Sequence, residues 1–203
     1  MSFPIVVLVS GEGSNLQALI DSLHGGEVEI VGVGSNKEGA RGLERARSAG
    51  IDTAVFPTRD YAGRPERDVA LGDWIESLGA QLVVLAGFME ILSPGFIQRF
   101  PNRIVNVHPA LLPAFAGIHA IEQALDYGVK LAGVTVHYVD EGVDSGAIIL
   151  QRAFELPYPR DIAVVEQRVH EIEHELLPKA VSLIARGKVS IDSSNPRWVV
   201  IDE

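Results

Sequence analysis

Apolar runs alternate with stretches of helical character through the first half of the chain, and this alternation restricts the fold more than any other feature. The runs are almost continuously apolar, as is usual for strands buried on both faces of a sheet. Strands that alternate with helices predict a parallel sheet with helices on both faces, a Rossmann-like α/β arrangement. The predicted strands are 3–9, 28–33, 81–86 and 103–107, and the predicted helices are 14–23, 40–49 and 65–78.

The pattern changes after residue 109. A short helix is predicted at 120–127, and two strands at 131–139 and 147–154 flank a polar, glycine-containing turn, which favours an antiparallel hairpin. Asp161 opens a long amphipathic helix at 161–185, and segments 189–191 and 197–201 suit a terminal hairpin. We therefore expect one domain, 1–203, whose mostly parallel central sheet carries antiparallel additions in the C-terminal half.

Composition excludes several classes of partner. The chain has 17 basic and 27 acidic residues, a net charge of −10, which repels nucleic acids and anionic membranes. It has no cysteine, so disulfides and thiolate chemistry are excluded, as is usual in a reducing cytoplasm. The apolar N-terminus is too short to span a bilayer and suits a first core strand better than a signal peptide. We expect a cytoplasmic protein with no nucleic-acid or membrane partner.

A glycine-rich loop follows the first predicted strand. It is Ser10-Gly11-Glu12-Gly13-Ser14-Asn15-Leu16, and it leads into the first predicted helix. Amides at a helix start bind anions, and Ser14 and Asn15 add side-chain donors. The loop lacks the third glycine of a dinucleotide site and the Lys-Ser/Thr pair of a triphosphatase loop, so a monophosphate fits best. The alternative interpretation is a plain tight turn with Ser14 as the N-cap.

Asn106 lies in the strand predicted at 103–107, and His108 is the residue that follows it. Because side chains alternate along a strand, the two side chains should share one face. Ligands bind at the carboxyl ends of strands in open parallel sheets. A carboxamide beside an imidazole suits acyl transfer, in which both groups stabilise the oxyanion and the imidazole moves protons. Asp144, in the polar turn 140–146, would keep His108 charged and oriented if it lay nearby. The alternative is a polar strand end whose groups bond to loop backbone.

Over nearly its whole length the chain resembles the glycinamide ribonucleotide formyltransferase family. Several separate motifs, in the order of the family, carry this resemblance. They are the glycine loop, Ser35-Asn36-Lys37, Leu85-Ala86-Gly87-Phe88-Met89, Asn106-Val107-His108-Pro109-Ala110-Leu111-Leu112-Pro113, Gly133-Val134-Thr135-Val136-His137-Tyr138-Val139-Asp140, Asp144, and His170-Glu171-Ile172-Glu173-His174.

The resemblance implies a formyltransferase fold, with a phosphate-binding half at 1–108 and a folate-site and capping half at 109–203. It implies formyl transfer from 10-formyltetrahydrofolate to the amine of glycinamide ribonucleotide in purine (IMP) biosynthesis, without a metal, by a monomer or homodimer. The implied catalytic residues are Asn106, His108 and Asp144. The implied substrate-binding residues are Gly11, which shapes the turn, Gly13, Ser14, Asn15, Gly87, Pro109 and Glu173. The residues implied to bind the folate are Arg64, Met89, Glu90, Ile91, Leu92, Asn106, Asp140 and Asp144.

Two features of the sequence need separate interpretation. Glu90 stands where the best-known members carry arginine, and a carboxylate there cannot attract the anionic tail of a folate. His170-Glu171-Ile172-Glu173-His174 matches the zinc-protease pattern H-E-x-x-H, whereas the resemblance directs Glu173 of the same helix towards substrate. We expect His119 and His137 to be bystanders.

Other functions fit parts of the sequence. A formyltetrahydrofolate hydrolase or a methionyl-tRNA formyltransferase would share the formyl chemistry. Against the hydrolase, the first strand begins at the N-terminus with no regulatory domain before it. Against the tRNA enzyme, the chain is acidic and has no basic extension. A catalytically silent nucleotide-binding module and a zinc hydrolase are the remaining alternatives.

Overall fold

A computed structural model describes residues 2–159 and 161–202, which divide into two compact units, Met1–Val105 and Asn106–Glu203. The strands of the first unit are β1 (Phe3–Val9), β2 (Val28–Ser35), β3 (Thr53–Val55) and β4 (Leu82–Leu85), and its helices are α1 (Ser14–Leu23), α2 (Arg41–Ser48), α3 (Arg64–Ser77) and α4 (Pro94–Arg99). β1 pairs in parallel with β2 on one side and with β4 on the other, and β3 pairs in parallel with β2.

The core of the first unit forms around β1. Residues 5–9 of this strand are fully buried, as expected for a strand between two parallel neighbours. Gly32 and Gly34 of β2 leave room for α3, because a Cβ at Gly32 would lie 2.9 Å from the Trp74 ring and one at Gly34 would lie 3.2 Å from it. The glycines on this strand therefore allow a tryptophan to pack directly on the sheet.

The second unit contains two antiparallel hairpins and two helices. Its elements are α5 (Ala120–Tyr127), β6 (Leu131–Tyr138), β7 (Ile148–Glu155), α6 (Ile162–Ala185), β8 (Val189–Ile191) and β9 (Val199–Ile201). β6 pairs with β7, and the register shifts between Val136 and His137; β8 pairs with β9. Asp161 caps α6 by accepting a hydrogen bond from Ala163 N, and Val165, Val169, Ile172 and Leu176 of α6 are buried. β5 (Ile104–His108) crosses the boundary between the units.

Seven strands are hydrogen-bonded in the order β3-β2-β1-β4-β5-β6-β7, and β8 and β9 form a separate pair. The predicted α/β fold, mostly parallel with antiparallel additions, is therefore confirmed. The strand β3 and the short helix α4 were not predicted. Among the described residues, none of the helices combines the length and hydropathy that a bilayer crossing requires.

Candidate active site

The glycine loop enters α1 through a left-handed residue. Gly13 has φ 70° and ψ 32° and is the N-cap, so the alternative in which Ser14 caps the helix is wrong. No side-chain oxygen caps this helix, which leaves its first turn suited to an external anion. A Cβ at position 13 would lie 2.6 Å from the Gly42 Cα, so α2 also requires glycine there.

Gly11 does not determine the conformation of the turn in the way that was expected. A Cβ at this position would meet nothing within 4 Å, and its φ lies outside the left-handed region. Its carbonyl instead accepts a hydrogen bond of 3.0 Å from Gly42 N, which joins the loop to α2. The turn therefore requires glycine at position 13 rather than at position 11.

The segment after β4 lies against the start of the glycine loop. Ser10 N donates to the Gly87 carbonyl at 3.2 Å, and Met89 N donates to Ser10 Oγ at 2.8 Å. Met89 is 71% exposed and Ile91 61% exposed, whereas Leu92 is buried. Two apolar side chains therefore lie on the surface beside the loop. Arg64, the first residue of α3, is also exposed.

Glu90 has several polar partners within the first unit. Asn36 Nδ2 donates to its Oε1 at 2.8 Å, and Thr58 Oγ1 donates to its Oε2 at 3.0 Å. Arg67 Nη1 also lies 2.6 Å from Oε2, and the Nε of this fully buried arginine lies 2.6 Å from Asp68 Oδ1. Burial alone would raise the pKa of Glu90, but the hydrogen bonds from Asn36 and Thr58 and the charge of Arg67 lower it. Glu90 is therefore an ionised anchor for its segment, and its effect on the folate tail stays a prediction.

Asn106, His108 and Asp144 come together in the second unit. His108 Nδ1 lies 3.3 Å from Asp144 Oδ2, and Asn106 Nδ2 donates to Asp144 Oδ1 at 3.4 Å. Gly117 N donates to Asp144 Oδ2 at 2.8 Å. Asn106 and His108 are neighbours on β5, but Asp144 reaches them from the turn after β6.

Both ring nitrogens of His108 face acceptors. Nε2 lies 2.9 Å from the Phe115 carbonyl, and Nδ1 faces the Asp144 carboxylate. A carbonyl and an ionised carboxylate can only accept hydrogen bonds, so a ring protonated on both nitrogens satisfies both contacts. The buried ring is held on both sides.

Asp144 is held in its ionised form. Burial of the carboxyl would raise its pKa, but hydrogen bonds with His137 and Gly117 N and the nearby His108 lower it below its ordinary value. A carboxylate that stays negative stabilises a positive charge on the adjacent imidazole. The pair therefore combines a fixed anion with a ring that can hold a second proton.

His137, which was expected to be a bystander, lies in contact with this cluster. Its Nε2 lies 3.3 Å from Asn106 Nδ2 and 3.6 Å from Asp144 Oδ1, and its Nδ1 lies 2.8 Å from the Tyr138 carbonyl. Since that carbonyl only accepts, Nδ1 carries a proton. Nε2 then accepts from Asn106 in a neutral ring or donates to Asp144 in a charged one. His119 is exposed, and its Nδ1 lies 3.2 Å from Glu122.

Sequence reasoning missed a signal on β6. Thr135 and His137 are polar and fully buried within an otherwise apolar strand, a combination that indicates specific hydrogen bonds. Thr135 Oγ1 donates to the Ala110 carbonyl at 2.7 Å and accepts from Leu112 N at 3.1 Å. Thr135 therefore fixes the loop that leaves β5 through Pro109.

Asp140 and Glu173 have defined partners in the second unit. Asp140 Oδ1 accepts hydrogen bonds from Gly142 N at 3.1 Å and Ser145 Oγ at 2.6 Å, so it organises the turn that carries Asp144. Glu173 is buried on α6, and its Oε2 lies 3.0 Å from His170 Nδ1. The first histidine of the zinc-protease pattern thus pairs with Glu173. Among the described residues, no three His, Cys, Asp or Glu side chains are grouped to hold a metal ion.

An α/β fold with a mostly parallel sheet and a buried Asn-His-Asp cluster suits a group-transfer enzyme. The formyl transferase family model matches residues 3–181, and the chain belongs to this family. It is 43% identical over 190 residues to phosphoribosylglycinamide formyltransferase of Haemophilus influenzae, covering 92% of this chain and 89% of that protein. A crystal structure of glycinamide ribonucleotide transformylase 1 from Symbiobacterium toebii matches with a TM-score of 0.95 and 41% identity, covering 100% of this chain and 95% of that one.

Some relatives are much longer proteins. The chain is 46% identical over 187 residues to the trifunctional purine biosynthetic protein adenosine-3 of Drosophila pseudoobscura pseudoobscura. The match covers 90% of this chain but only 14% of that protein's length. The match therefore concerns one part of that larger polypeptide.

Proposed function

We propose that the chain transfers the formyl group of 10-formyltetrahydrofolate to the amine of glycinamide ribonucleotide, yielding formylglycinamide ribonucleotide and tetrahydrofolate. This is a formyl transfer of purine biosynthesis, and the expected partners are these two small molecules. We expect the enzyme to act in the cytoplasm, as a monomer or a homodimer. Family membership and the cluster around Asp144 support this assignment.

The chemistry is acyl transfer through a tetrahedral intermediate. The amine nitrogen attacks the formyl carbon, and the carbonyl electrons move onto the formyl oxygen. Asn106 Nδ2–H and the protonated His108 stabilise this oxyanion. The C–N bond to the folate then breaks, and the proton lost by the attacking amine passes to the departing folate nitrogen. Asp144 keeps His108 charged throughout.

The contacts of Asn106 and His108 support this assignment. Asn106 Nδ2 has two protons, and its contacts to His137 and Asp144 are long, at 3.3 and 3.4 Å. A stronger acceptor can therefore receive a hydrogen bond from one of these N–H groups without leaving another group unsatisfied. His108 Nε2–H is held by the Phe115 carbonyl, a neutral acceptor that an oxyanion would outcompete. The observation that carries the proposal is that both nitrogens of His108 face acceptors.

Substrate binding is assigned to two further groups of residues. The uncapped start of α1, with Gly13, Ser14 and Asn15, is assigned to the ribonucleotide phosphate. The buried carboxyl of Glu173 is assigned to the glycinamide end. The folate is assigned to Arg64 and residues 89–92 of the first unit and to the 140–144 turn of the second; Gly87 and Pro109 are assigned to substrate contacts.

His108→Ala tests the catalytic assignment. Loss of the imidazolium should lower kcat by at least about a hundredfold, because the oxyanion loses a charged hydrogen-bond donor. The assay mixes the protein with 10-formyltetrahydrofolate and glycinamide ribonucleotide and follows the deformylated folate by absorbance. A variant that keeps kcat within about tenfold of wild type, roughly 1.4 kcal/mol, would contradict the role of His108.

Omission of each substrate in turn separates the alternatives. Transfer requires both substrates. Release of formate without glycinamide ribonucleotide would indicate a hydrolase, and ligand binding without turnover would indicate a silent nucleotide-binding module.

A further inference from the structure

The turn that presents Asp144 has a left-handed backbone at that residue. Asp144 has φ 49°, a conformation that aspartate adopts more often than most residues but less readily than glycine. Two residues later, a Cβ at Gly146 would lie 1.8 Å from the Tyr138 carbonyl oxygen, so the chain passes directly against β6. A carboxylate in such a turn keeps its position only where surrounding contacts hold the backbone.

Within the turn, the restraints come from Asp140. Its Oδ1 accepts hydrogen bonds from Gly142 N and from Ser145 Oγ, which closes the loop around the Asp140 side chain. These bonds tie the turn to itself. They do not tie the peptide that follows Asp144 to any other element.

The C-terminal hairpin, β8 and β9, joins the backbone after Asp144 to another element. Arg197 Nη1 donates a hydrogen bond of 2.8 Å to the Ser145 carbonyl, across 52 positions of sequence. Arg197 is held by the loop between β8 and β9, where its own amide donates to Asn195 Oδ1 at 3.0 Å. The next amide, Trp198 N, donates to the Asn195 carbonyl at 3.0 Å. An ordered hairpin loop thus presents the guanidinium to the turn.

We propose that Arg197 is a positioning residue for catalysis, which holds the left-handed turn so that Asp144 faces His108 and His137. A charge-assisted hydrogen bond to a carbonyl is stronger than a neutral one, and it acts here one peptide beyond the catalytic carboxylate. Without it, the backbone at Asp144 relaxes from its left-handed conformation, and the 3.3 Å contact to His108 lengthens. The inference rests on the proposed formyl transfer, because it assigns Arg197 an effect on that reaction.

Three variants test this role. Arg197→Met keeps the length of the side chain and removes every donor, whereas Arg197→Lys keeps a charge and a donor without the guanidinium plane. The matched control is Arg152→Met on β7, where a half-exposed arginine pairs with Glu175 of α6. We expect Arg197→Met to lower kcat about five- to tenfold, with KM for both substrates within about twofold of wild type. Arg197→Lys should be intermediate, and Arg152→Met should match wild type.

Two further readouts separate positioning from a loss of folding. The acid limb of the kcat profile should move to higher pH in Arg197→Met, because the contacts that lower the pKa of Asp144 weaken. Hydrogen exchange should accelerate at residues 140–146, while the thermal midpoint stays within about 2 °C of wild type. If Arg197→Met is less stable than this, Arg197→Lys must still show intermediate kcat and intermediate exchange in the turn.

The outcomes distinguish this inference from the proposed function. A kcat within about twofold of wild type and an unchanged pH profile in Arg197→Met would overturn the positioning role. Equal losses in Arg197→Met and Arg152→Met would overturn it as well. Asp144→Asn reports on the function itself: a variant that keeps full activity contradicts the assigned chemistry, whatever Arg197 does.

Discussion

Asp144 lies between two histidine rings that differ in their other hydrogen bonds. His108 faces acceptors with both nitrogens, whereas His137 has the Tyr138 carbonyl on one side and the Asn106 amide on the other. The first ring can donate a hydrogen bond from each nitrogen. The second orients Asn106 and Asp144, and its contribution to catalysis is expected to be indirect.

His137→Leu should lower kcat about tenfold, roughly 1.4 kcal/mol, with little change in KM. The substitution removes the ring nitrogen that lies against both Asn106 Nδ2 and the Asp144 carboxyl, so both groups lose orientation. Steady-state kinetics with each substrate varied in turn measure the effect. The control is His119→Asn, which tolerates the positive φ of 60° at that position and alters only an exposed residue. A His137→Leu enzyme as active as the control would show that Asn106 and Asp144 need no such support.

At the level of elements, the start of α1 depends on one glycine. Gly13→Ala should lower the free energy of unfolding by more than about 1 kcal/mol, because alanine is strained at φ 70° and its Cβ overlaps Gly42. KM for glycinamide ribonucleotide should also rise as the first-turn amides are displaced. Urea unfolding and steady-state kinetics measure the two effects.

Gly11→Ala is the matched control for this prediction. Since a Cβ there meets nothing within 4 Å, the change in unfolding free energy should stay within about 0.5 kcal/mol. Equal destabilisation by the two substitutions would show that the left-handed conformation and the approach to Gly42 are not what the loop requires.

The elements that sequence reasoning located have a strong periodic pattern. β1, α1 and α5 have the predicted bounds because each is either a continuous apolar run or an amphipathic helix between clear breaks. β3 is too short, at three residues, to establish any period. α4 has only six residues, but it had a signal that was overlooked: Ser93 caps it by accepting from Phe96 N, and Pro94 follows the cap.

The candidate site could be predicted only where local rules apply. Strand alternation places Asn106 and His108 on one face, and the structure agrees. The approach of Asp144 to His108 depends on a left-handed turn, on the Gly117 amide and on Arg197. No rule of sequence spacing predicts any of these three. The family resemblance pointed to Asp144, and the catalytic roles stay predictions.

At the scale of the whole molecule, one buried arginine is paired with two of the chain's carboxylates, and this pairing affects stability. Arg67 is fully buried on α3, and its guanidinium is shared between Asp68 and Glu90. The sequence placed Arg67 on a helix but could not show its partner, since Glu90 is 23 positions away. Such a pair contributes to stability only while the carboxylates are ionised, because an unpaired buried cation is costly.

Glu90 should therefore make the stability of the protein depend on acid pH. Its pKa in the folded chain lies below the ordinary value of 4.5, so its contribution is complete above that pH and is lost as the pH falls through the lower folded value. Glu90→Gln should lower the free energy of unfolding by about 1–2 kcal/mol at pH 7, less than for a fully buried pair, because the side chain is 27% exposed and Asp68 remains. The difference between wild type and variant should shrink as the pH is lowered through the acid range, since protonation removes the same charge from wild type.

Urea unfolding at a series of pH values measures the loss at pH 7 and its dependence on pH. The control is Glu38→Gln, which breaks an exposed pair with Arg59 and is expected to change stability little. A difference between wild type and Glu90→Gln that stays constant down to the most acidic pH would mean that the charge of Glu90 does not stabilise the fold.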